Sequence, residues 1–156
     1  MISVDRRQLA LEPQSFVLVF SRVALHPWQR WLGRYKHVRA YAYLPATEHW
    51  LFYDVHFRRT QILVVPDGDA VIAILAVWQR DADIIRVPRR DDARMFFRIG
   101  FWCVPAMKHL IGLRSSALRP DALWRDCVRT GGQVLGSAAV RTAADESRAP
   151  GPATAG

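Results

Sequence analysis

Apolar runs of strand length recur along the first two thirds of the chain, separated by turn residues. Phe16–Phe20 is apolar throughout and reads as a strand. His37–Tyr43 alternates weakly, Pro45–Glu48 turns the chain, and Trp50–Val55 returns it. Gln61–Val65 and Ala70–Val77 flank the tetrapeptide PDGD, which reads as a hairpin turn because Asp and Gly supply the backbone angles such a turn requires. Ala70–Val77 has no polar position, so it is expected to be a central strand covered on both faces. Asp81–Asp83 turns again, and Ile84–Val87 precedes Pro88. The expectation is an antiparallel meander of about five strands over residues 37 to 88.

The period changes in the last third. Val104, Met107, Leu110 and Ile111 fall at helical spacing, and Pro105 is tolerated only in the first turn, so a helix should begin near Val104 and stop at Gly112. Pro120–Thr130 predicts a second helix, with Pro120 and Asp121 in its first turn and Gly131 and Gly132 beyond its end. His26–Leu32 reads as a helical turn rich in Trp. From residue 138 onward the chain is Ala, Pro, Gly, Ser and Thr with scattered charges, a composition that cannot offset its own ordering entropy. The chain therefore divides into one α+β domain over residues 1–137, an antiparallel sheet with a Cys-bearing helix packed on it, and a disordered tail over 138–156.

Composition fits that division. Of 156 residues, 51% are apolar, and six Trp and seven Phe supply a core. The longest apolar stretches, Ala70–Val77 and Phe101–Leu113, fall short of the ~20 residues of a spanning helix. The amino-terminal residues include Asp5 and no apolar run before Pro13, unlike a secretory leader. A cytoplasmic protein with Cys103 and Cys127 as free thiols is the expectation. The net charge of +8 suits nucleic acid, acidic polymers or anionic membrane surfaces. Arg34, Lys36 and Arg39 surround one histidine, and Arg86, Arg89, Arg90, Arg94 and Arg98 form a second group beside Asp91 and Asp92. No zinc-finger spacing, helix-turn-helix pattern or basic-aromatic strand accompanies the charge, so a nucleic-acid partner is not expected.

Candidate chemistry centres on Cys103. At the start of a helix its sulfur meets unpaired backbone amides and the positive end of the helix dipole, which favour a nucleophilic thiolate. A packing role between Trp102 and Val104 is the alternative. His37 is the candidate base, and Asp54, on the expected partner strand, can fix its tautomer; an uncertain register leaves His56 or Glu48 as alternatives. Metal ligation by His26, His37, His49, His56, His109, Asp54 or Cys103 lacks the short spacing of HExxH or CxxC, so neither a metal nor another cofactor is expected. His49 reads as a loop residue, His109 as a helix-face residue, and Cys127 as packing. Trp28, Trp31, Trp50, Trp78 and Trp124 are read as core or partly exposed packing.

The runs FVLVFSR, WLGRYKHVRAYAY, WLFYD and FWCVPAMKHLIGL, in that order, resemble the circularly permuted papain-like cysteine hydrolases. In that group a histidine motif opens a sheet strand and the cysteine follows late, at the head of a helix. Phe16–Arg22 is similar to the lead-in strand, Tyr35–Val38 to the histidine motif and Trp102–Leu113 to the cysteine helix. The span from Cys103 to Leu123 also looks like small phage and prophage proteins. Arg39 stands where the group usually has a small residue, and Trp102 where Asn or Ser is common. The resemblance implies acyl transfer with Cys103 as nucleophile, His37 as proton carrier and Asp54 as its orienting acid. The implied substrates are amides or esters, peptidoglycan peptides among them. Two other classes stay open: an inactive phage-type accessory protein that binds a phage structural protein, and a basic nucleic-acid-binding domain.

Overall fold

The computed structural model describes residues 13–90 and 102–136. Six strands form one sheet: β1 (Ser15–Ser21), β2 (His37–Leu44), β3 (His49–Val55), β4 (Thr60–Pro66), β5 (Ala82–Pro88) and β6 (Gln133–Leu135). A 3-10 turn, Pro27–Leu32, lies between β1 and β2. Three α-helices follow: α1 (Asp69–Gln79), α2 (Cys103–Ile111) and α3 (Pro120–Arg129). The spatial order is β4-β3-β2-β1-β5-β6, with every pair antiparallel. The architecture is thus α+β on an antiparallel sheet, but not a meander. β1 inserts between β2 and β5, pairing Ser21 with His37 on one side and with Ala82 on the other.

Alternation along the strands divides the apolar residues between two faces. Phe16, Leu18, Phe20, Val38, Ala40, Ala42, Ile85 and Val87 join a core with Val104, Met107 and Ile111 of α2 and Leu123 and Cys127 of α3. Val17, Val19, Tyr41, Phe52 and Ile84 join a second core with Val71, Leu75 and Trp78 of α1. Both faces are apolar, so both need a cover.

That need corrects one expectation. Residues 70–77 are helical, not a central strand, and PDGD is no hairpin. Pro66 ends β4, and Gly68 takes φ 153°, a conformation that side chains rarely adopt, just before Asp69 opens α1. Val71, Leu75 and Trp78 then fall on one stripe against the sheet, while Ile72 and Val77 face outward. A strand here would only have lengthened the β4 edge and left the second face bare. Gln133–Leu135 adds a strand that the glycines before it concealed. His49 heads β3 and is not in a loop.

The helix carrying Cys103 begins one residue earlier than expected. Trp102 is its N-cap, Cys103 its first residue and Pro105 its third, where no backbone donor is required. Gly112 ends it in the left-handed region at φ 66°. Lys108, buried on α2, donates to the carbonyls of Ser115 (2.7 Å) and Ala117 (2.9 Å), fastening the connection to α3. The expected tail over 138–156 lies outside the described residues, as do Arg94 and Arg98.

Candidate active site

The site forms at the end of the sheet where β1 ends and β2 begins. The β2–β3 register pairs Ala40 with Tyr53, so continuing it sets Asp54 beside Arg39 and brings His56 level with His37. His37 Nε2 lies 2.6 Å from Asp54 Oδ1, and both side chains are buried. His56 Nε2 lies 3.2 Å from the other carboxylate oxygen. The two imidazoles stack, with centroids 4.9 Å apart and planes 11° from parallel. One carboxylate is therefore shared by two rings.

Strand alternation assigns Asp54, like Arg39 and Phe52, to the α1 face, whereas Cys103 belongs to the core on the α2 face. His37, at the sheet's end, is bonded to Asp54 and also interacts with Cys103. Nε2 is taken by the carboxylate, which leaves Nδ1 as the other ring nitrogen. Cys103 is 8% exposed.

The charges follow from these contacts. Burial by itself would lower the His37 pKa, but the bonds to Asp54 and Cys103 outweigh it and raise the value to about 9. Burial would likewise raise the Asp54 carboxyl; the hydrogen bond and charge of His37, with His56 and Arg39, hold it below the ordinary range. Burial and the neighbouring His37 and Arg59 charges keep His56 below its usual value in spite of Asp54. At neutral pH the arrangement is a carboxylate, an imidazolium facing the sulfur and a second, neutral imidazole.

Arg39, which stands where a small residue was expected, does not fill the space around the thiol. Its guanidinium lies 4.7 Å over the Trp78 ring of α1 and donates to the Trp78 carbonyl at 3.4 Å. Its NH1 is 3.9 Å from Asp54 Oδ2, and its buried Nε has no partner. Trp102 is tied by its indole N–H to the Leu118 carbonyl at 3.3 Å. A groove of about 540 Å³ lies along Ser116–Arg119 and the exposed side of α3. Neither Cys103 nor His37, Asp54 or His56 lines it.

Of the residues singled out in the sequence, Cys103, His37 and Asp54 come together. Glu48 does not: it sits in the β2–β3 turn at the opposite end of the hairpin. His56 joins as a second partner of Asp54, not as a replacement for it. Its place was hidden because Asp54 and His56 are only two apart in sequence, a spacing that becomes a signal once His37 is known to lie opposite. Ligand-capable atoms of His37, Asp54 and His56 all lie within 4.8 Å of one another, so the three could also grip a divalent cation. Arg39 beside the same carboxylate works against that use. His26, His49 and His109 do not join the group, and both cysteines are free thiols. No helix among the described residues is long and apolar enough to cross a membrane. No protein family, curated protein or solved structure matches the chain.

Proposed function

We propose that the protein is a cysteine hydrolase of amides or esters, working by acyl transfer. One observation carries the reading: a buried imidazole bonded to Asp54 at 2.6 Å that also interacts with Cys103, the first residue of α2. An imidazolium beside the sulfur favours its thiolate, the form that attacks a carbonyl carbon. The backbone N–H of Cys103, at the first position of α2, has no intrahelical partner and can donate to the oxyanion that forms. His37 then gives its proton to the departing amine or alkoxide. The neutral ring next takes a proton from water, whose oxygen attacks the thioester. The acid leaves, and the Cys103–His37 ion pair is restored. Asp54 keeps the ring oriented through both halves. The order His37, Asp54, Cys103 along the chain agrees with a circularly permuted papain-like hydrolase, and the basic composition suits an anionic polymer such as cell wall.

The test is incubation with an activated ester, followed by mass analysis of the intact chain and its peptides. An acyl adduct on the Cys103 peptide, absent from Cys103→Ser, is the expected result. A second reading, an inactive relative that binds a protein partner, gains from the burial of Cys103 at 8% exposure. No adduct, together with a thiol as slow as Cys127, would decide for it.

A further inference from the structure

We infer that the end of the sheet carrying His37 docks on an anionic lipid bilayer. Three connections meet that end: residues 22–36 between β1 and β2, residues 56–59 between β3 and β4, and residues 80–81 leading from α1 into β5. The first is inside out. In the turn Pro27–Leu32 the buried residue is Gln29, while Trp31 is 87% and Trp28 55% exposed. Val23 and Leu25, just before it, are also exposed, and the second connection presents Phe57 at 75%. Single exposed apolar residues need no explanation, but five on two connections at one end of the sheet call for a partner.

The loop is built to hold that shape. The buried Gln29 side chain accepts from the backbone N–H groups of Leu25 (2.6 Å) and His26 (2.9 Å). Lys36 Nζ reaches back to the carbonyls of Arg30 (3.2 Å) and Gly33. Asp121 of α3 accepts from the backbone N–H groups of Arg34 (3.2 Å) and Tyr35 (3.3 Å). The tryptophans thus stand on a fixed base.

Charge selects the partner. The first two connections, residues 22–36 and 56–59, contain no Asp or Glu, and Asp81 in the third lies beside Arg22. Arg22 and Arg34 are engaged by Asp83 at 2.5 and 2.8 Å, but Arg30, Arg58 and Arg59 are exposed and form no ion pair among the described residues. A duplex nucleic acid would meet the arginines but set Trp31 and Phe57 against phosphate. An anionic bilayer offers both layers at once, phosphates for the arginines and an interfacial zone that favours Trp. Three such arginines near an anionic surface strengthen binding by roughly a hundredfold in total.

The experiment is co-sedimentation of the full chain with vesicles of phosphatidylcholine alone, or mixed equally with phosphatidylglycerol. Binding to the mixed vesicles and little to phosphatidylcholine is expected. Arg30→Glu with Arg58→Glu and Arg59→Glu should lower it at least a hundredfold, and Trp28→Ala with Trp31→Ala at least tenfold. Unchanged urea midpoints would show that these exposed positions leave the fold intact. Cys103→Ser should bind like the parent, because docking does not rest on the catalytic reading. No binding to mixed vesicles, binding indifferent to the tryptophans, or tighter retention on duplex DNA than on vesicles would overturn the proposal.

Discussion

The two cysteines lie on neighbouring helices that cover the same face of the sheet, and both are buried. Their surroundings make them different chemical groups. Cys127 sits in the interior of α3 beside Asp126, and burial followed by that carboxylate pushes its thiol up to about 12. Cys103 opens its helix and faces an imidazolium backed by a carboxylate. Burial and a neighbouring carboxylate suppress the Cys127 thiol, whereas the neighbour of Cys103 is an imidazole.

Alkylation kinetics test that contrast most severely. An ordinary thiol is only about 1% ionised near pH 6.5, so a stabilised thiolate should react roughly ten to a hundred times faster with iodoacetamide. Cys103 should show that excess and Cys127 almost no labelling in the folded protein, read by peptide mass analysis. His37→Ala should remove most of the excess. Equal labelling, or indifference to His37→Ala, would remove the contrast altogether.

Serine substitution turns the same contrast into stability. Cys127 is wholly buried in an apolar core, so Cys127→Ser should cost about 1–3 kcal/mol in urea denaturation as its hydroxyl loses water. Cys103→Ser should cost less, because the hydroxyl can bond to His37. The reverse order would mean that Cys103 is the packing residue.

The pH dependence of stability follows from His37. Folding raises its pKa from 6.5 to about 9, so its contribution is complete below pH 6.5 and fades as pH rises through about 9. The lowered Asp54 contributes in the opposite sense, above its ordinary range, and is lost as pH falls through its folded value. Urea midpoints between pH 6.5 and 9 should therefore drop more for the parent than for His37→Ala, while Cys127→Ala departs from the parent slope only near pH 9, where that thiol ionises in the unfolded chain. Parallel slopes in all three would show that the imidazole is not held as a cation. The smallest effect is expected for Asp54→Asn, a severalfold loss of Cys103 labelling, since the amide still orients the ring but no longer balances its charge. A loss as large as that of His37→Ala would make Asp54 more than an orienting group.

Much of the molecule was legible locally. Phe16–Phe20, the two strands around Pro45–Glu48 and the helix between Pro105 and Gly112 carry their own periods and stops, so residues 15–21, 37–55 and 103–111 follow from adjacent side chains. Cys103 was placed at a helix start by Pro105 alone. Ala70–Val77 failed because a continuous apolar run fits a buried strand and a helix equally well. The choice fell to a distant fact, that Val17, Tyr41, Phe52 and Ile84 leave an apolar face requiring cover. Trp31 failed similarly: its hydrophobicity predicted core or partly exposed packing, whereas Gln29 takes the interior of that turn.

The sequence by itself determined the parts of the candidate site, a thiol at a helix start, a histidine opening a strand and an acid near the end of the next, because each depends on signals within a few residues. The tertiary structure alone decided that these three meet, that His56 shares the acid, and that Arg39 rests over Trp78 away from the thiol. Strand register, the insertion of β1 between β2 and β5, and the layer a helix covers are set by pairing between segments far apart in the chain. No local period encodes which partner a strand will choose.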